Sequence, residues 1–209
     1  WSDLSGYYKM DWGQGNTAFD YSAKGNHGTL TNGPDWVEAY SWERGMVAHY
    51  PLDGSGRDIH GTHSGSLIGT TPTTNLHGYS QKALGLNGED DYVEISEAPE
   101  FETNQHTVSF WVKSDSLSQG NLVSKDDGNS NLTNRQWLVE ALDDGKVRSV
   151  IWTNGGMNLR DSNNSLTQGQ WHHIVRTWNG SSMSLYIDGV LDFSADTTGT
   201  SLVDGSHPV

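Results

Sequence analysis

The chain has 209 residues, with 12 Lys plus Arg against 26 Asp plus Glu and a formal net charge of -14. That balance repels a phosphate backbone and excludes nucleic-acid binding. A hydrophobic share of 33%, with no apolar run near the roughly 18 residues of a membrane helix, argues against membrane insertion. The absence of cysteine removes disulfides, zinc-thiolate sites and thiol catalysis, which a chain long enough for one large core tolerates.

Twenty-five glycines and nine tryptophans, amid many Asn, Asp, Ser and Thr, describe short strands punctuated by tight turns. Period-two alternation recurs between Gly, Asn and Asp clusters, and no helical period is sustained. In chain order the expected strands are 6–11, 47–53, 83–86, 92–95, 107–113, 136–142, 147–153, 171–178, 183–187 and 190–194. The best local signal is the run from Trp171 to Trp178, then Asn179-Gly180, then Met183 to Ile187, which predicts a β-hairpin that turns again at Asp188-Gly189. In its first arm Trp171, His173, Val175 and Thr177 share one face and His172, Ile174, Arg176 and Trp178 the other. Both faces are mixed, which suits a sandwich strand whose outer side floors a groove.

The first 45 residues are echoed by the two dozen that come after them. Tyr7-Tyr8-Lys9-Met10-Asp11 and the loop from Phe19-Asp20 to Gly28-Thr29-Leu30 parallel His49-Tyr50-Pro51-Leu52-Asp53 and the loop from Arg57-Asp58 to Gly65-Ser66-Leu67. Only this opening strand and loop is duplicated, so residues 1–45 cannot bury a core of their own and are expected to dock on residues 46–209 or on another chain.

Val47-Ala48-His49-Tyr50-Pro51-Leu52-Asp53-Gly54, the Asp58 loop, Leu86 to Ile95, Thr107 to Lys113, Leu122-Val123-Ser124-Lys125, Gly169-Gln170-Trp171-His172-His173 and Leu185-Tyr186-Ile187-Asp188-Gly189 succeed one another in order. Over about residues 46–195 the chain resembles the laminin-G-like, concanavalin A-like jelly-roll domains of bacterial extracellular proteins. The resemblance implies an all-β antiparallel β-sandwich with an extra N-terminal strand-loop element, secreted or displayed at a bacterial cell surface. Members usually close with a further strand bearing an acidic residue, and this sequence stops at Pro208-Val209 without one. A longer parent chain, completion by the strand at 6–11, and donation of that strand to a neighbour are open alternatives.

The resemblance also implies a structural calcium in the loop after the first strand. Asp58 stands at the ligand position, Gly61 is a carbonyl donor, and Asp20 from the echoed loop replaces the missing acidic partner. The bland alternative is that Asp58 caps a turn. For carbohydrate, Trp152 offers a ring for a pyranose to stack on, with Asn154, Asn158, Arg160 and Asp161 close behind for its hydroxyls. Trp111 and Trp171 are expected in the core from their places inside strands.

Catalysis finds little support. Glycosidases of this fold carry Glu-x-Asp-x-x-Glu with its carboxylates on one strand face, whereas Glu89, Asp90 and Asp91 are read in a turn, and a lyase built on His172 or His173 with Tyr186 and Arg176 competes with the family's ordinary Trp-His-His strand in non-enzymes. Sequons at Asn131, Asn163 and Asn179 read as chance. The expected function is a non-catalytic extracellular carbohydrate-recognition or adhesion module, with a glycan or cell-surface polysaccharide as partner. The alternative is a structural subunit of a surface or filamentous assembly that self-associates through strand exchange, and a polysaccharide lyase or hydrolase comes third.

Overall fold

The computed structural model describes residues 5, 16–20, 22, 24–32, 45–116, 118–126, 135–203 and 209. The chain divides into two compact units, Trp1–Met46 and Val47–Val209. In the first, β1 (Thr17–Ala18) pairs antiparallel with β2 (Gly28–Thr29). The strand expected at 6–11 lies outside the described residues.

The second unit is built on two four-stranded antiparallel sheets. One runs β11 (Gly156–Ser165), β10 (Lys146–Thr153), β9 (Arg135–Ala141), β8 (Gly120–Asp126). The other runs β14 (Val190–Asp196), β13 (Ser182–Ile187), β12 (Trp171–Trp178), β7 (His106–Lys113). Two short hairpin-like pairs precede them, β3 (Ser66–Ile68) with β6 (Tyr92–Glu94), and β4 (Thr71–Thr73) with β5 (Ala83–Gly85). This is the all-β antiparallel sandwich the sequence predicts.

Alternation explains which residues meet between the sheets. Trp137, Val139, Val147 and Ile151 from one sheet pack with Ile174, Trp178, Met183, Leu185 and Phe193 from the other into a single core. Polar groups enter this core too: Ser149 donates to Met183 Sδ at 2.9 Å, and Arg176 is fully buried.

The hairpin forms with a shift of one residue at its tip. Trp178 pairs with Met183, so Gly180, with φ of 90°, takes the left-handed turn position while Asn179 Oδ1 accepts from the amides of Ser181 and Ser182 at 3.0 and 2.8 Å. At the second turn Asp188 and Gly189 both have positive φ, 51° and 80°, as a type I′ turn between Ile187 and Val190 requires.

The strand expected at 47–53 does not form. Pro51 offers no amide and Leu52 is at φ of 51°, so only His49 joins the neighbouring chain, accepting from Ile59 at 2.9 Å. At the other end, Val209 and Ile95 exchange both backbone hydrogen bonds, at 2.9 and 2.7 Å.

Asp192 ties the edges of the two sheets together. Its carboxylate accepts from the amides of Asn163 and Asn164 at 2.6 and 3.0 Å and from Asn164 Nδ2 at 2.8 Å, linking β14 to β11.

Candidate functional site

The outer face of the β14-β13-β12-β7 sheet carries an open aromatic stripe. In β7, Val108, Phe110 and Val112 point inward and are half-buried, so Thr107, Ser109, Trp111 and Lys113 point outward. Trp111 is therefore 51% exposed and not a core residue. The expectation of a buried Trp111 weighs its hydrophobicity over its register, and its polar face-mates Thr107, Ser109 and Lys113 are the signal that gives its true side. Trp171, on the same outer face of β12, is only half-buried.

Register places His173 directly opposite Trp111. Their rings stack with centroids 5.0 Å apart and planes 21° from parallel, and His173 Nε2 bonds Ser109 Oγ at 2.8 Å. Val175 and Tyr186 continue the face, and beyond them comes Leu191, which is 52% exposed. Ser184 and Ser194 add hydroxyls bonded to each other at 2.9 Å. A flat sheet with an exposed indole and flanking hydroxyl and imidazole groups can stack the C–H face of a sugar ring and hydrogen-bond its rim.

His172, next along β12, is fixed from both sides. The Thr167 amide donates to its Nε2 at 2.9 Å, so the proton sits on Nδ1 and is donated to Asp188 Oδ2 at 2.8 Å. Burial alone would raise the Asp188 carboxyl, but the His173 amide and the His172 ring outweigh it and hold it below the usual range.

Four of the five residues expected to bind sugar, Trp152, Asn154, Asn158 and Asp161, do other work. Trp152 is 4% exposed, clustered with Leu138, Val150 and Val203, and the Arg135 guanidinium lies 4.4 Å above its ring, so no pyranose can reach it. Asn154 Oδ1 accepts from the Thr200 amide at 2.9 Å, and Asn158 Oδ1 accepts from the Thr198 amide at 2.7 Å; both pin the 198–201 turn. Asp161 pairs with Arg148 Nε at 2.7 Å, which holds its carboxyl below the usual range. Arg160 is exposed. A sugar site of this kind needs a loop, whereas 156–165 forms the edge strand β11, so alternation sends Asp161 to one face and Asn158 and Arg160 to the other.

The expected calcium ligands meet amides instead. Asp58 Oδ1 accepts from the His49 and His60 amides, both at 3.0 Å, and Oδ2 from the His63 amide at 3.2 Å. Burial would raise this carboxyl, but those bonds and one from the Gly61 amide bring it down to about 2. Gly61 contributes its N–H to this carboxylate, and a Cβ there would sit 2.8 Å from Asp58 Oδ2. Beside it the Tyr50 hydroxyl donates to the His63 carbonyl at 2.6 Å, and burial, aided by the Asp58 charge, pushes the phenol up to about 12. In the first unit, Asp20 is likewise buried and accepts from the Ser22 and Asn26 amides at 2.8 and 2.7 Å. Among the described residues no three acidic or histidine side chains converge as metal ligands would.

The lyase constellation is split by the sheet. His173 and Tyr186 face outward, while Arg176 is fully buried on the core side, where it donates to His106 Nε2 and to Ser149 Oγ.

Comparison with solved structures agrees with this architecture. Domain 4 of AbnA, a GH43 extracellular arabinanase from Geobacillus stearothermophilus solved with arabinotriose, is 20% identical, with a TM-score of 0.59 over 77% of this chain and 80% of that one. The binding domain of Paraclostridial Mosquitocidal Protein 1 is 21% identical, with a TM-score of 0.52 over 73% of this chain and 40% of that one. No curated protein matches by sequence. Residues 87–209, more than half of the chain, match the laminin G family profile described as the concanavalin A-like lectin/glucanases superfamily. With its two antiparallel sheets packed on a shared apolar core, the chain belongs to that superfamily.

Proposed function

We propose that this chain is a non-catalytic, extracellular carbohydrate-recognition or adhesion module that binds a neutral glycan across the Trp111–His173 face. The observation that carries the reading is the half-exposed indole of Trp111 on the edge strand β7, stacked on His173 of the neighbouring strand β12. An exposed aromatic set in a rigid sheet contributes little to folding and gives a ready platform for a sugar. The arabinanase domain of similar fold, solved with arabinotriose, supports a glycan as partner. A net charge of -14 disfavours uronic and sulfated glycans. Binding of the full chain to a panel of neutral polysaccharides, with and without chelator, tests the reading. Saturable binding that Trp111→Ala weakens roughly tenfold or more supports it, and affinity unchanged by Trp111→Ala overturns the site.

A second reading, a structural subunit of a surface assembly, is favoured by the match between the two Asp-led arches, β1–β2 around Asp20 and residues 56–67 around Asp58. In each the aspartate caps its own loop and a glycine comes after it, Gly28 or Gly65, paired to Ala18 or to Gly56. The first arch could then take the place of the second on the β6 strand of another copy. Because the chain has no cysteine, Thr29→Cys chains mixed with Glu94→Cys chains would form mixed disulfides if β2 replaces β3 there. Absence of that crosslink rejects exchange.

A further inference from the structure

The two arches share one chemical device and little else. Their loop sequences differ, Tyr21-Ser22-Ala23-Lys24-Gly25-Asn26 in one and Ile59-His60-Gly61-Thr62-His63 in the other, and the first is one residue longer. Yet each aspartate accepts the amide two residues on, from Ser22 at 2.8 Å and from His60 at 3.0 Å. Each accepts a second amide from the far side of the loop, from Asn26 at 2.7 Å and from His63 at 3.2 Å. Each donates its own amide to the next side chain along, Asp20 to His27 Nδ1 at 3.0 Å and Asp58 to Ser64 Oγ at 3.2 Å.

A calcium site needs about 6 to 8 oxygen lone pairs aimed at one point. Here the carboxylates accept from N–H groups and, at Asp20, also from the Ser22 hydroxyl at 2.9 Å, and the positive ends of these donors would face any cation placed beside them. The Gly61 amide adds a further donor to Asp58, and the space a Cβ would fill there lies 2.8 Å from Oδ2, so the loop closes tightly on the carboxylate. In both arches the negative charge is already matched by backbone dipoles, which is the work a bound cation would otherwise do.

We infer that Asp20 and Asp58 are carboxylate clasps that close their arches on backbone amides, and that neither takes up calcium. Two measurements on the full chain test this. In the first, calcium chloride is titrated by calorimetry and melting is followed with calcium and with EDTA, for wild type, Asp58→Asn and Asp20→Asn. Asp58→Asn lowers Tm by about 5–10 °C, equally in both buffers, because an amide nitrogen replaces one accepting oxygen. No calcium effect, or one that persists unchanged in both variants, supports the inference; a calcium heat or Tm shift that either variant loses overturns it. In the second, which stands if Asp58→Asn fails to fold, terbium emission is excited through Tyr50, whose hydroxyl bonds the Asp58 loop. Calcium-competable emission that Tyr50→Phe removes overturns the inference, and its absence supports it.

Discussion

Arg176 and His106 meet inside the sandwich, the guanidinium donating to imidazole Nε2 while His106 Nδ1 donates to the Thr103 carbonyl at 3.2 Å. The pair carries one cation with no carboxylate paired to it among the described residues: Arg176 also donates to Ser149 Oγ and lies 5.8 Å from the Trp137 ring centroid, and its Nη2 is buried without a hydrogen bond among those residues. Burial brings the guanidinium down to about 9. A buried cation of this kind is costly, so Arg176→Met should cost less than about 1 kcal/mol or stabilise. His106→Ala, which removes its acceptor, should cost about 3 kcal/mol. Denaturant melts of the two variants check the contrast, which reverses if the guanidinium is a net stabiliser.

The same pair sets an acid limit. Burial first, and then the Arg176 charge, lower His106 from 6.5 to about 3. Between those values the unfolded chain binds a proton that the folded chain refuses, so stability is present above pH 6.5 and falls as pH drops toward 3. Asp58, lowered to about 2 from 3.8, extends the loss further: its clasp is intact above 3.8 and is lost as pH falls through 2. His106→Gln keeps an acceptor for Arg176 but does not titrate, so its stability should be flat between pH 6 and pH 4 while that of wild type declines. Parallel curves for the two proteins would remove His106 from the account.

On the outer face, Trp111→Ala should weaken glycan binding by roughly 10- to 100-fold and leave stability within about 0.5 kcal/mol, because the ring is half-exposed. His173→Phe, which keeps the stack but drops the bond to Ser109 Oγ, should lose less affinity. Isothermal titration beside thermal melts separates the two effects.

Asp192→Ala should destabilise by about 2 kcal/mol, since it frees the amides of Asn163 and Asn164 at the seam between β11 and β14. Faster hydrogen exchange should appear in β11 first, and protection unchanged there would show that the seam is held by other contacts.

Gly56→Ala should disrupt the arch around Asp58, because a Cβ would run into the Gly65 carbonyl with no flexible group to give way. At the equivalent place in the first unit Ala18 already stands, with Gly28 opposite it, so Ala18→Gly should be mild by comparison. Melting temperatures of both variants decide this.

Most of the sandwich is legible in the sequence wherever polarity alternates cleanly: the strands at 107–113, 136–142, 147–153, 171–178 and 183–187 match β7, β9, β10, β12 and β13 to within a residue or so. β8 and β11 escape a reading by alternation, and for β11 the reason is physical. It reads Gly-Met-Asn-Leu-Arg-Asp-Ser-Asn-Asn-Ser, an edge strand with Met157 and Leu159 exposed, and its polarity comes from side-chain bonds to neighbouring turns rather than from solvent alone. The expected sugar site is misplaced as a consequence, since a loop would gather Asn158, Arg160 and Asp161 together and a strand separates them. The echo of the Asp-led loop is legible at the level of residues. That its carboxylates face amides is not, because a calcium loop and a capped turn use the same Asp, Asn and Gly.

Trp111 and His173 are 62 positions apart in the chain and stand on different strands, β7 and β12, with β7 at the sheet's edge. A ring laid across both would bridge the outermost strand to its inner neighbour, so occupancy and edge integrity become linked quantities. At ligand levels about 100-fold above Kd that linkage is worth about 2.7 kcal/mol of resistance to unfolding. An edge strand would then be fastened by the molecule it displays a surface for.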